Sequence, residues 1–128
     1  MVEILIILSM LFMHIVDDYY LQGILASMKQ KTWWQKQESY NDFYKYDYIV
    51  ALIMHSFSWA FMVMVPIALV MSFSASIWFA ITMLANTVVH CVVDDLKANK
   101  KKINLVHDQS IHVVQIVITF VLFLVFWR

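Results

Sequence analysis

Residues 77–96 read IWFAITMLANTVVHCVVDDL. Twenty residues of this kind are what an α-helix needs to cross a bilayer core about 30 Å thick. Near the end of the run stand His90 and Asp94, four apart and therefore on one helix face. An Asp at mid-bilayer costs about 2.5–3.5 kcal/mol on insertion scales, so such groups face a bundle interior and pair with something. The stretch predicts a membrane helix and a polar site inside its bundle.

Three more runs have the same character, at about 4–21, 48–71 and 105–127. Four spans of ~20 residues use roughly 80 positions, and a chain of 128 residues that is 62% apolar and 14% charged can fill them. One Gly and one Pro leave little for tight turns. A soluble enzyme, a disordered tail and a β-barrel are set aside. The expected fold is all-α: one transmembrane domain over residues 1–128, four helices in an up-down bundle. Pro66 inside the second span predicts a kink, and Gly23 suits the end of the first. Net charge is zero, which gives no case for a nucleic-acid partner. Cys91 stands alone and forms no internal disulfide. Glu3 and the lack of a basic leading region distinguish the first run from a secretory signal, and it reads as a retained helix.

Charge placement predicts direction. Lys29, Lys31, Lys36 and Lys45 lie between spans one and two; Lys97, Lys100, Lys101 and Lys102 lie between spans three and four. Only Arg128 is elsewhere. The positive-inside rule puts both loops in the cytoplasm and both termini outside it. Residues 24–47, with Tyr48 just beyond, mix Trp33, Trp34, Tyr40, Phe43, Tyr44 and Tyr46 with polar groups, the composition of an interfacial segment. It reads either as a surface anchor or as a lid admitting a lipid-like substrate.

The ionisable residues repeat one spacing. His14 and Asp18, His90 and Asp94, and Asp108 and His112 are each four apart, and span two adds His55. Counted from the span ends at ~1.5 Å per residue, all four imidazoles lie about 9–10 Å below the cytoplasmic boundary. Asp18, Asp94 and Asp108 form a layer ~6 Å nearer the cytoplasm. Such His and carboxylate sets on facing helices build metal sites. The expected ligands are His14, Asp18, His55, His90, Asp94, Asp108 and His112, for one or two divalent ions, zinc first among them. Three carboxylates in a low-dielectric setting favour two ions over one. Ala51, one turn from His55, predicts a gap in the ligand ring where water or substrate enters. Asp18, Asp94 and Asp108 are the candidate catalytic carboxylates, as ligands, bridges or general base. Lys97 and Lys100 are placed to hold a phosphate or a lipid headgroup. Asp17 and Asp95 sit about 100° around their helices from the paired Asp residues and read as groups supporting the ligands or lying at the interface, and His107 is similar. Cys91 reads as packing, and Asn86 and Gln115 lie one turn deeper, where they can orient ligands.

The runs His14-Ile-Val-Asp17-Asp18-Tyr-Tyr-Leu21-Gln22, His90-Cys-Val-Val-Asp94-Asp-Leu-Lys97-Ala98 and Asp108-Gln109-Ser-Ile-His112 resemble an uncharacterised family of small bacterial and phage membrane proteins, catalogued as a domain of unknown function. The resemblance covers all four spans and implies that Asp18, not Asp17, is the motif carboxylate. More loosely, the chain is similar to inner-membrane metal-dependent hydrolases with His and Asp pairs in their helices. That likeness implies hydrolysis of a lipid-linked or amphiphilic phosphoester-like substrate. Buried Asp and His chains also serve metal-ion or proton transporters and channels, and a phage-type membrane effector with a structural metal site is a third reading. A homo-oligomer stays open, and a permeation path would require polar groups through the outer half as well.

Overall fold

A chain with one glycine and one proline has few points at which a helix is interrupted. The computed structural model describes residues 1–74 and 76–127, and among these are six α-helices and no strand. Helix α1 (Val2–Val16) runs on through a π-helical turn, Asp17–Leu21. Two short helices follow, α2 (Leu25–Met28) and α3 (Lys31–Gln35), then a 3-10 turn at Asp42–Tyr44. The long helices α4 (Asp47–Val70), α5 (Ile77–Ala98) and α6 (Leu105–Leu122) complete the chain, α6 ending in a second π-helical turn, Phe123–Trp127. Stretches long and apolar enough to cross a membrane are Val2–Leu21, Asp42–Val70, Ile77–Ala98 and Leu105–Trp127, within a few residues of the expected spans except at the start of the second.

Local chemistry sets the boundaries. The Ser76 hydroxyl accepts from Phe79 N–H at 3.3 Å to start α5, and the Asn104 amide oxygen accepts from His107 N–H at 2.9 Å to start α6. After the first span Gly23 takes φ +47°, the left-handed conformation in which glycine ends a helix at little cost. Pro66 is buried within α4, which continues unbroken to Val70. Arg128, the expected lone positive charge beyond the loops, lies outside the described residues, as does Ala75 in the joint Ser72–Ser76.

The long helices form a ring, α1 against α4 and α6, and α5 against α4 and α6. The C-terminal ends of α1 and α5 meet the N-terminal ends of α4 and α6, which makes the topology up-down. One part of the interior is apolar, built on Met10, Trp59, Ala60, Val63, Ile67 and Ile116. The other is polar: Asp17, His55, His90, Asp94, Asp108 and His112 are all buried, while Leu8, Phe12, Leu84, Val88 and Val106 lie on the outer surface. Residues 22–46 fold back across the polar end instead of lying free. There α2 packs on α4, Lys31 N–H donates to Asn99 Oδ1 at 2.8 Å, and Asn99 Nδ2 donates to the Lys29 carbonyl at 3.2 Å. One asparagine at the end of α5 thus clasps the segment by its backbone.

Candidate metal centre

The i, i+4 pairs do converge. His90 and His112 stack with ring centroids 4.1 Å apart, His55 and His90 lie 5.2 Å apart, and His14 and His112 5.9 Å. Trp59, one turn along α4 from His55, forms the floor: its indole stacks on His90 at 4.3 Å and is wholly buried. Above the imidazoles, Asp18, Asp94 and Asp108 make the carboxylate layer.

Separations within the cluster distinguish hydrogen bonds from shared ligation. His112 Nε2 stands 3.5 Å from Asp108 Oδ1 and 3.7 Å from Asp94 Oδ1, and His90 Nε2 is 3.5 Å from Asp94 Oδ2. These are long for hydrogen bonds. Two ligands held at about 2.0–2.2 Å by one tetrahedral ion stand roughly 3.3–3.6 Å apart. Buried polar atoms are nearly always paired, since leaving one unpaired costs about 1–3 kcal/mol. Here Asp18 Oδ1, Asp108 Oδ1, His112 Nε2, His55 Nδ1 and both nitrogens of His90 have no hydrogen-bond partner. Two triplets have ligand atoms mutually close enough to hold an ion, His90–Asp94–His112 and Asp18–His55–His90. The donor set, imidazole nitrogen with carboxylate oxygen, suits a divalent transition ion such as zinc.

Two hydrogen-bond chains orient these groups. Gln115 Nε2 donates to the Asn86 carbonyl at 3.2 Å, and a carbonyl can only accept. Gln115 therefore turns Oε1 to His112 Nδ1 at 3.1 Å, which puts the proton on Nδ1 and leaves the Nε2 lone pair facing the cluster. Asn86 is itself fixed by donating to Thr119 Oγ1 at 2.7 Å. In the second chain the indole N–H of Trp59, a donor only, gives its proton to His14 Nδ1 at 2.7 Å. His14 Nε2 then donates to Gln109 Oε1 at 3.0 Å, and Gln109 Nε2 donates to Asp108 Oδ2 at 2.9 Å. Both His14 nitrogens are committed, and in this arrangement it holds Asp108 in place instead of offering a lone pair. Its Nδ1 is 3.7 Å from Asp18 Oδ2. Removing a group that orients a metal ligand typically costs 10–100-fold in affinity. Gln115→Ala is accordingly expected to weaken metal binding 10–100-fold in chelator competition while the protein stays folded; unchanged affinity would show that this chain does not set the His112 tautomer.

Lysine placement departs from the sequence expectation. Lys97 reaches Asp108 Oδ2 at 2.6 Å with its side chain one-third exposed. Lys100 pairs with Asp95 at 2.8 Å, whose carboxylate raises its pKa. Lys29, expected only as a loop charge, enters the site: its ammonium lies 2.5 Å from Asp94 Oδ2 and 2.7 Å from His55 Nε2. Ala51, where the gap is expected, is buried, and α2 packs against α4. Asp17 is buried and accepts from Gln22 Nε2 and, at 2.8 Å, from Ser58 Oγ. Asp17 lies three residues from His14 and seven from Met10, so α-helical spacing already brings it to the buried face of α1, just where the π-helical turn begins. Exposed His107 bonds only locally, to Asn104, and Cys91 is half-buried, outside both triplets. Trp59 was legible in principle, four residues from His55, but an aromatic in an apolar span carries no distinguishing signal.

No family model, no curated protein and no solved structure matches the chain.

Proposed function

We propose that this protein is a membrane-embedded, metal-dependent hydrolase with its site at the cytoplasmic end of the bundle in a bacterial inner membrane. The observation that carries the metal reading is the pair of buried, unpartnered imidazole nitrogens at ion-sharing separations from Asp94, His90 Nε2 at 3.5 Å and His112 Nε2 at 3.7 Å. His90, Asp94 and His112 would hold the ion, and three protein ligands are what catalytic zinc sites use. A divalent ion there supplies Lewis acidity and eases ionisation of water. Asp108, whose Oδ2 is tied to Lys97 and Gln109, keeps Oδ1 free to take a proton from an attacking water as general base. Lys97, at the rim, is the nearest partly exposed cation for a phosphate oxygen.

The substrate reading, a lipid-linked or amphiphilic phosphoester, draws on the seam between α5 and α6. A groove of about 580 Å³ opens there, walled by Trp78, Ile81, Val89, Ile111, Ile118 and Trp127. Asn86, Gln115 and Thr119 also line it, the residues that orient His112. An acyl or isoprenoid chain in the groove would lie along the bundle with its polar end toward the site. Lysines at the two loops support the orientation, with both termini outside the cytoplasm. The transporter reading loses ground at Trp59 and the apolar core beyond it, which close the interior past the histidines.

Metal content of the purified protein tests the first part. About one equivalent or more of a divalent transition metal, removed by chelator, is expected; under a tenth of an equivalent, with stability indifferent to chelator, would sink the proposal. Comparing lipid extracts from cells expressing wild type and His112→Ala tests the second. A lipid phosphate depleted only by wild type is expected, and ion flux in proteoliposomes without such depletion would return the transporter reading.

A further inference from the structure

The cluster divides by spacing. On the His90–His112 side, ligand atoms stand 3.5–3.7 Å apart, and His90 Nε2, His112 Nε2 and Asp108 Oδ1 lack hydrogen-bond partners. On the His55 side Lys29 Nζ stands at hydrogen-bond distance from both His55 Nε2, at 2.7 Å, and Asp94 Oδ2, at 2.5 Å. An ammonium only donates, so His55 Nε2 accepts from it, and the 2.8 Å approach of Nε2 to Asp94 Oδ2 is bridged by the lysine. Yet by residue type and position the second side also qualifies for an ion, since Asp18, His55 and His90 form one of the two ion-holding triplets. Asp18 Oδ1 lies 3.7 Å from His55 Nε2 and is itself unpartnered.

Lys29 does not reach this place as a wandering surface side chain. Its side chain is 12% exposed. It caps the four-residue helix α2, and its carbonyl is gripped by Asn99 at the end of α5. Charge agrees with this placement. Asp17, Asp18, Asp94 and Asp108, counted as carboxylates, carry four negative charges, and Lys29 and Lys97 return two. The remainder of two is neutralised by one divalent ion and exceeded by a second. A cation buried at high density of like charge is strongly disfavoured.

We propose that the Lys29 ammonium stands in for a second metal ion, so that the centre takes a single divalent ion on His90, Asp94 and His112. This rests on the metal reading above and replaces the two-ion expectation from counting only Asp18, Asp94 and Asp108. Asp94 is then shared: Oδ2 is held by Lys29 and also faces His90 Nε2 at 3.5 Å, while Oδ1 faces His112 Nε2 at 3.7 Å. The ammonium would occupy the place that a second metal takes in two-metal hydrolases.

Counting ions tests this directly. Protein in detergent or nanodiscs is saturated with Zn²⁺, desalted and assayed for metal per chain, as wild type, Lys29→Met and Lys29→Arg. One equivalent is expected in wild type and in Lys29→Arg, which keeps the charge. Two are expected in Lys29→Met, which frees Asp18, His55 and Asp94 Oδ2 for a second ion. Two equivalents in wild type overturn the proposal while leaving the metal reading intact, and that count needs no variant to fold. One equivalent in a folded Lys29→Met at every Zn²⁺ concentration also overturns it. No bound metal in any form removes the metal reading itself.

Discussion

His112→Ala is expected to abolish stoichiometric metal binding. The side chain supplies an unpartnered Nε2 at 3.5 and 3.7 Å from Asp108 and Asp94, and no neighbouring donor replaces it. Loss of an orienting group alone costs 10–100-fold, so loss of the ligand should exceed 100-fold, read by competition against a chelator of known affinity. The same change removes the ring stacked on His90 and leaves Gln115 Oε1 without its donor. Stability measured in chelator should therefore fall by about 1–3 kcal/mol, the cost of an unpaired buried group. A folded, metal-free, inactive protein is the outcome a catalytic site requires. Complete unfolding of His112→Ala, restored by no added ligand, would favour a purely structural centre. Metal binding within threefold of wild type would remove His112 from the ligand set.

Asp94→Asn is expected to give the largest loss of stability. Asp94 is the hub of the cluster, with Lys29, His55, His90 and His112 all within 3.7 Å of its oxygens. Neutralising it strands the Lys29 ammonium in a buried position, and breaking a buried ion pair from one side costs about 3–5 kcal/mol. Chemical denaturation of the metal-free protein measures the effect. The double variant Lys29→Met with Asp94→Asn should be more stable than Asp94→Asn alone, because the stranded charge is then gone. Partners in direct contact couple by 0.5–3 kcal/mol in such cycles. Additive losses would mean that the two groups do not interact as the 2.5 Å contact requires.

The four long helices were legible because runs of about 20 apolar residues, the length a bilayer crossing needs, leave little choice of element. Convergence of His55, His90 and His112 with the three carboxylates was legible for a related reason: spacing of four fixes the face, and distance from a shared boundary fixes the depth. What periodicity could not reach was anything depending on how the polar connection folds. Lys29 looked like one more loop lysine, since its path over the bundle end is set by Asn99 and α2 rather than by any repeat. The partners of Asp17, Gln22 and Ser58, were not legible, because they depend on where the chain turns after the first helix and on how α4 packs against it. His14 shares the spacing of the other pairs but is drawn aside by Trp59 and Gln109, and only the three-dimensional placement of a donor-only indole reveals this.

The clasp at Asn99 has a thermodynamic corollary. Lys29 belongs to the connection that covers the site, and Asp94 belongs to the site, so closing the one and charging the other are linked functions. Whatever strengthens the hold of Asp94 on the ammonium tightens the cover, and by reciprocity whatever lifts the cover weakens that hold by the same free energy. Occupancy of the interior and access to it are therefore not independent variables in this protein. A molecule that pries the connection from the end of α5 alters the electrostatics of the centre before touching any ligand in it.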